Sequence, residues 1–246
     1  MDELLERINN KLKDGKASEQ DFLEDFKAFD VLIEKYKSQK TDEVASIVIM
    51  KAILYLQVLN ELEKGIAVLE EFKTNFPDSP LGKQVDQIIE SVKSQLAVWK
   101  IQKSLAVGTV FPNFSEKDLD GRPLSVSGFK GKVVLVDFWA TWCGPCVREL
   151  PNLIQAYEKY HDRGFEIIGI SLDENEQALR SFIAEQKMPW PQYFEKSEGL
   201  NKLATKYAAI SIPTTYLLDR EGKIIARNLR GEELDVALQA LFAKKL

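Results

Sequence analysis

The sequence predicts an all-α helical bundle followed by an α/β domain, and a change of composition along the chain is the main reason. Residues 1 to about 104 contain few prolines and glycines and are rich in strong helix formers. The later residues alternate short apolar runs with helical patterns and turn residues. At 246 residues, 45% of them hydrophobic, the chain can bury two modest cores. We therefore predict domains at 1–107 and 108–246.

Five helices are predicted in the first domain. Helical apolar spacing is interrupted at Asp14-Gly15, at the cap Thr41-Asp42 and at the stop signal Phe76-Pro77-Asp78-Ser79-Pro80. The predicted spans are 2–13, 18–38, 42–59, 61–75 and 80–104.

The middle of this domain resembles a degenerate tetratricopeptide-like helical hairpin. The matching residues are Leu54, Leu56, Gly65, Ala67, Leu69 and Pro77. Repeat-like helices commonly present a concave face, so the resemblance implies a partner-binding surface on this domain. An ordinary bundle whose apolar residues, such as Phe22, Phe26 and Phe29, form only a core is the alternative.

The second domain holds both cysteines of the chain, in Trp142-Cys143-Gly144-Pro145-Cys146. A buried strand is predicted before them at 133–136, and helical spacing follows at 147–160. At a helix N-terminus, unpaired N–H groups and the helix dipole stabilise a thiolate, so we expect the pKa of Cys143 to fall below about 8.5. Cys143 is the predicted nucleophile, and Cys146 is the predicted thiol that resolves a mixed disulfide.

Two other uses of a CxxC pair are disfavoured. A structural zinc requires four Cys or His ligands, and the chain offers two cysteines and His161, which is predicted to be a solvated surface residue. A structural disulfide between cysteines this close would constrain the unfolded chain little. We therefore expect no metal and no cofactor other than the redox-active disulfide Cys143–Cys146.

The segment 136–146, Val-Asp-Phe-Trp-Ala-Thr-Trp-Cys-Gly-Pro-Cys, resembles the active-site segment of the thioredoxin superfamily. Pro151 matches the proline that kinks the active-site helix of that superfamily. The resemblance implies a central mixed sheet flanked by helices. It also implies that Pro213, in Ile212-Pro213-Thr214, is a cis-proline facing the cysteines, and that the Ile212 backbone pairs with an extended substrate. From the residues alone, a trans loop proline is the default.

Several motifs are similar to the TlpA/ResA-like branch of this superfamily over about residues 108–246. They are Phe111-Pro112-Asn113-Phe114, Asp120-Gly121, Gly131-Lys132-Val133-Val134, Phe138-Trp139-Ala140-Thr141-Trp142 and Pro213-Thr214-Thr215. A predicted helix at 176–187, inserted after the predicted strand 165–171, is a further marker of the branch. The branch often has Asn where this chain has Asp137, which matches thioredoxin itself and favours reductase chemistry.

Asp137 is predicted to be the general base for Cys146. It would lie on the strand behind the cysteines, where burial raises the pKa of a carboxyl and allows it to take or give a proton. A strand-end acid held by backbone donors is the alternative. Trp142, Gly144 and Pro145 are the predicted substrate-contacting residues beside the cysteines, since a flat aromatic surface suits docking of a protein substrate.

The predicted function is a protein thiol–disulfide oxidoreductase that reduces disulfides in partner proteins. The Gly144-Pro145 dipeptide, which thioredoxin shares, favours this direction. The upstream electron-donor protein is not identified by the sequence. A disulfide isomerase or oxidase of the same fold and a non-catalytic partner-binding scaffold are the alternatives. A peroxidase is disfavoured because Asp137 stands four residues before Thr141, where peroxidatic enzymes have proline.

Charge and hydropathy exclude two classes of partner. The formal net charge is −5 and there are no long basic runs, so no nucleic acid is expected. No stretch approaches the roughly 18 apolar residues that span a bilayer. The charged opening Met1-Asp2-Glu3 shows no leader, which by itself favours the cytoplasm, whereas the resemblance favours a periplasmic or otherwise extracytoplasmic protein whose leader is absent from this chain. A chain without spare cysteines fits an oxidising compartment.

Overall fold

The structure, a computed structural model, describes residues 1–36, 38–196 and 201–243. It divides into two compact units, Met1–Trp99 and Lys100–Leu246. This division falls before the domain boundary predicted at residue 107, because Leu105 is already buried in the core of the second unit. Lys37, in the predicted helix 18–38, lies outside the described residues, as do 197–200 and 244–246 in the predicted second domain.

The first unit contains each of the five predicted helices. They are α1 (Asp2–Lys13), α2 (Glu19–Tyr36), α3 (Asp42–Ile53), α4 (Leu62–Asn75) and α5 (Gly82–Ser104), the last of which ends in the second unit. The helix predicted at 42–59 is wrong in its last third, where the π-helical turn Leu54–Val58 follows α3. Leu56 of this turn fills the space over Gly65, where a Cβ atom would lie only 2.3 Å from the Leu56 side chain. None of the helices in the described residues combines the length and the apolarity needed to cross a bilayer.

The second unit is built on a five-stranded mixed sheet, as the resemblance implied. Its strands and helices are β1 (Glu116–Lys117), β2 (Pro123–Leu124), β3 (Val133–Trp139), α6 (Gly144–Tyr160), β4 (Phe165–Ser171), α7 (Glu176–Glu185), β5 (Gln192–Tyr193), α8 (Lys202–Lys206), β6 (Thr214–Leu218), β7 (Ile224–Arg227) and α9 (Gly231–Ala243). The strand order is β5-β4-β3-β6-β7. The β3–β4 and β4–β5 pairs are parallel, whereas β3–β6 and β6–β7 are antiparallel. The short β1–β2 hairpin forms a separate antiparallel pair.

Strand β3 lies at the centre of this sheet and is buried on both faces. Because successive side chains of a strand point to opposite faces, Leu135, Asp137 and Trp139 share one face. Leu135 and Trp139 belong to the core cluster that includes side chains of α6 and α9. Val136 and Phe138 belong to the core on the other face. Asp137 is therefore a single acid within an otherwise apolar central strand.

Candidate active site

The two cysteines lie at the N-terminus of α6, where the sequence placed them. Cys143 is the N-cap residue, and its Sγ accepts a hydrogen bond of 3.2 Å from the backbone N–H of Cys146. The two sulfurs form a disulfide, with an S–S distance of 2.05 Å. The helix begins at Gly144, earlier than the predicted residue 147, because Pro145 is well suited to the first turn of a helix. An N–H donor is thus already directed at the sulfur of Cys143, which favours a thiolate there after reduction.

An exposed rim surrounds the buried sulfurs. Trp142 is 67% exposed, and Gly144 and Pro145 are exposed beside it, whereas Cys143 and Cys146 are 5% and 4% exposed. The Ile212–Pro213 peptide bond is cis, as the resemblance implied. Ile212 is partly buried and packs against both core clusters of this unit, one of which contains the two cysteines. That Ile212 and Pro213 form one substrate surface with Trp142 stays a prediction.

Asp137 is buried on the face of the sheet that packs against α6 and α9. Its exposure is 4%. Burial raises the pKa of its carboxyl from 3.8 to about 7, the nearby Arg230 guanidinium opposes this rise, and Glu149 adds to it. The predicted direction of the pKa shift is confirmed. A carboxyl that titrates near neutrality can both accept and release a proton at physiological pH.

The raised pKa of Asp137 makes stability depend on pH. The folded chain holds this proton up to about pH 7 and the unfolded chain only up to about 3.8, so stability falls as pH rises through this window and stays lower above it. We expect Asp137→Asn, which cannot ionise, to be more stable than the parent above pH 7 by up to ~4 kcal/mol and nearly equal to it below pH 4. Denaturant unfolding of both proteins across this range is the measurement.

Asp235→Asn is the matched control. Asp235 is paired with Lys159, which lowers the pKa of its carboxyl, so its removal should give no gain in stability between pH 4 and 7. The difference in the free energy of unfolding between Asp137→Asn and the parent should depend on pH. If this difference were the same at every pH, the raised pKa of Asp137 would be contradicted.

Glu149 and Arg230 connect α6, α9 and the Pro213 loop near Asp137. Glu149 Oε2 accepts a 2.9 Å hydrogen bond from the backbone N–H of Gly231 at the start of α9. Arg230 Nη2 donates to the carbonyl oxygen of Pro213 at 2.5 Å. The sequence analysis did not identify these two residues, and no local motif marks them, because their partners lie far away along the chain.

Asp173 holds the loop between β3 and α6, and the sequence analysis missed it as well. It is 7% exposed and follows the end of β4. Its carboxylate accepts hydrogen bonds from the backbone N–H and, at 2.5 Å, the hydroxyl of Thr141, and from the Ser171 hydroxyl at 2.8 Å. The acid thereby fixes the residue that precedes Trp142 and Cys143.

We expect Asp173→Ala to lower the free energy of unfolding by about 2–3 kcal/mol, since it leaves the part-buried donors of Thr141 and the buried hydroxyl of Ser171 without an acceptor. Denaturant unfolding gives the loss of stability, and hydrogen exchange at Thr141 and Trp142 reports the loosened loop. Thr141→Val, which removes the hydroxyl but keeps the backbone donor, is the control and should have a smaller effect. Equal effects of the two substitutions would show that the Thr141 backbone bond and the Ser171 hydroxyl bond contribute little.

His161 is a partly exposed surface residue, with 38% of its side chain exposed. This residue follows α6, and its ring stacks on Tyr157 with a centroid distance of 4.4 Å. Its Nδ1 is buried and lies 3.8 Å from a Glu166 carboxylate oxygen. One face of the imidazole therefore packs on an aromatic neighbour while the rest of the side chain stays in contact with solvent.

Comparison with known proteins gives consistent matches over the second unit. The model of the AhpC/TSA family matches residues 107–227. The chain is 34% identical over 143 residues to the thiol-disulfide oxidoreductase ResA of Bacillus thuringiensis subsp. konkukian (strain 97-27), an alignment that covers 58% of this chain and 80% of that protein.

Two solved structures are also similar. One is the thioredoxin domain of a thiol-disulfide oxidoreductase from Bacteroides vulgatus, with 38% identity and a TM-score of 0.52 over 56% of this chain and 99% of that one. The other is a thiol:disulfide interchange protein from Bacteroides sp., with 37% identity and a TM-score of 0.52 over 57% and 93% of the two chains.

Proposed function

Since this chain belongs to the ResA-like thiol-disulfide oxidoreductases of the thioredoxin superfamily, we propose that it acts as a reductase of disulfides in partner proteins. Thiol–disulfide exchange at Cys143 and Cys146 is its activity. The direction of electron flow and the roles of the surrounding residues are our proposal. The observation that carries it is the cysteine pair at the start of α6 with the buried carboxyl of Asp137 on the sheet face below.

The reaction begins with both cysteines reduced. The Cys143 thiolate, stabilised by the N–H group of Cys146, attacks one sulfur of a substrate disulfide. A mixed disulfide between Cys143 and the substrate forms, and the other substrate sulfur leaves as a thiolate that takes a proton from solvent. Trp142 and the Ile212-Pro213 segment provide the surface on which the substrate chain lies during this step.

Resolution of the mixed disulfide follows at Cys146. The Asp137 carboxylate accepts the proton of the Cys146 thiol, and the resulting thiolate attacks the Cys143 sulfur. The second substrate sulfur leaves as a thiolate and is protonated. The substrate has gained two electrons and two protons, and the enzyme holds the Cys143–Cys146 disulfide. A dithiol protein that donates two electrons must then reduce the enzyme before the next cycle.

An extracytoplasmic site of action completes the proposal. Both cysteines of the chain belong to the redox pair, so it contains no spare thiol that could mispair in an oxidising compartment. In such a compartment a reductant requires a dedicated electron source, which fits a protein that is itself reduced by a partner. Protein substrates with exposed disulfides are the substrate class.

The equilibrium reduction potential of the Cys143–Cys146 pair tests the direction. We expect a value near that of thioredoxin, about −270 mV, when the full chain is equilibrated in defined thiol buffers. Cys143→Ser is the control and should show no reversible couple. A potential near −120 mV, as in a strong oxidant, would reverse the proposed direction. The absence of any reversible couple in the parent protein would exclude the reductase.

A further inference from the structure

A row of buried polar side chains crosses the sheet next to Asp137. Asp137 of β3 pairs with Gly169 of β4 on one side and with Thr215 of β6 on the other, and Gly169 in turn pairs with Gln192 of β5. Paired residues of neighbouring strands have side chains on the same face. Gln192 is 3% exposed and Thr215 is 2% exposed, so both are as buried as Asp137.

The glycine in this row brings the Gln192 amide close to Asp137. A Cβ atom at Gly169 would lie 1.9 Å from Gln192 Oε1 and 2.7 Å from its Nε2, so the amide occupies the space that a side chain at 169 would fill. Adjacent strands are about 4.8 Å apart. The Gln192 amide thus lies one strand away from Asp137, on the same face of the sheet.

The orientation of the amide is fixed by Trp139. The Trp139 indole N–H donates to Gln192 Oε1 at 2.9 Å, and because an indole nitrogen can only donate, the oxygen must face it. The amide NH₂ group then lies away from the indole. In the described part of the chain, neither Gln192 Nε2 nor Thr215 Oγ1 has a hydrogen-bond partner, although both atoms are buried.

Buried donors without an acceptor are rare in folded proteins, and these two lie on either side of one carboxyl. The charged groups that face Asp137 from the neighbouring helices are already engaged elsewhere. Glu149 of α6 accepts from the Gly231 N–H, and Arg230, which precedes α9, donates to the Pro213 carbonyl. Neither donor bonds Asp137 in the structure, but the strand pairing places both beside it. An ionised carboxylate has two oxygens that accept hydrogen bonds.

We propose that Gln192 and Thr215 are positioning residues for Asp137, and that their free donors bind its carboxylate when it ionises, directly or through one trapped water. Their hydrogen bonds favour the ionised form and hold it on the face below Cys146. This inference rests on the proposed role of Asp137 as proton acceptor. It adds a reason why a carboxyl so deeply buried can still ionise near neutral pH, since a trapped water or a side-chain donor replaces lost hydration.

The pKa of Asp137 in the oxidised full-length protein tests the proposal without any turnover. It is measured by carbon NMR, from the chemical shift of the Asp137 carboxyl carbon as the pH is varied. We expect Thr215→Val, which keeps the shape but lacks the hydroxyl, to raise the pKa of Asp137 by roughly one unit, a tenfold change in its ionisation constant. Thr215→Ser, which keeps the donor, should leave that pKa close to the parent value. Gly169→Ala should also raise it, because the added methyl group displaces the Gln192 amide from the row.

The outcomes separate this inference from the proposed function. The inference is overturned if the pKa of Asp137 is unchanged in both Thr215→Val and Gly169→Ala. It is also overturned if Thr215→Ser and Thr215→Val shift that pKa equally, because the loss of the hydroxyl donor would then not be the cause. The pH midpoint of mixed-disulfide resolution should move with the pKa while attack by Cys143 stays unchanged. Loss of the redox couple in the parent protein would instead contradict the reductase proposal and leave the titration result as it stands.

Discussion

Cys146→Ser is expected to stop the reaction at the mixed disulfide and reduce turnover to the background rate. Cys143 remains at the helix N-terminus and can still attack a substrate disulfide, but the serine hydroxyl cannot displace the substrate from the Cys143 sulfur. Incubation of the reduced variant with a disulfide-bonded peptide should give a stable adduct of one enzyme and one peptide. Mass spectrometry under non-reducing conditions measures it, and peptide mapping locates it at Cys143.

Cys143→Ser is the matched control for this experiment. Its remaining thiol, on Cys146, lies within the first turn of α6 and lacks the N-cap position at which the Cys143 sulfur accepts a backbone N–H, so we expect little or no adduct. A faster reaction of Cys146 than of Cys143 would exchange the roles of the two thiols. Multiple turnovers by Cys146→Ser would show that a second cysteine is not needed.

Asp137→Asn is expected to slow resolution of the mixed disulfide by about 10²–10⁴-fold, the range typical of general acid–base catalysis, and to leave attack by Cys143 nearly unchanged. Only the ionised carboxyl can accept a proton. In the parent protein the resolution rate should therefore rise with pH through about 7 and then level off, following the raised pKa of Asp137. The variant should lack this rise and show only the titration of the Cys146 thiol.

Single-turnover kinetics between pH 5 and 9 distinguish the two steps. Formation of the mixed disulfide reports attack by Cys143, and release of the reduced peptide reports resolution by Cys146. Glu149→Gln is a useful comparison, because removal of this neighbouring charge should lower the pKa of Asp137 and move the pH profile downward without abolishing it. Identical resolution profiles in Asp137→Asn and in the parent would remove the proposed base.

The parts of the structure that the sequence predicted well are those specified by contiguous residues. Four of the five helices predicted in the first unit match within two residues at each end, because glycine, proline and capping residues mark most of their limits, and the strand predicted at 165–171 matches β4. The π-helical turn after α3 was not predicted, since Leu54 and Leu56 continue the apolar spacing of the helix before them. Their local pattern carries no sign of the close packing against Gly65.

The same distinction applies to the site. Cys143, Cys146, Asp137 and Trp142 lie within one segment, and a single motif was enough to identify them. Asp173 and Arg230 come from other elements, and their contacts depend on how the sheet and helices pack. Thr215 was part of a recognised motif, but the sequence could not show that its hydroxyl is buried opposite Asp137, because this follows from the β3–β6 register.

The contact between Gly169 and Gln192 has a consequence for the evolution of this family. Any larger residue at 169 would collide with the amide, so a change at one position should be accompanied by a shortening or reorientation at the other. These two positions are therefore expected to covary among relatives that have the same strand order. Relatives that lose the glycine should also lose the glutamine, and their acid on the central strand should have a different polar neighbour.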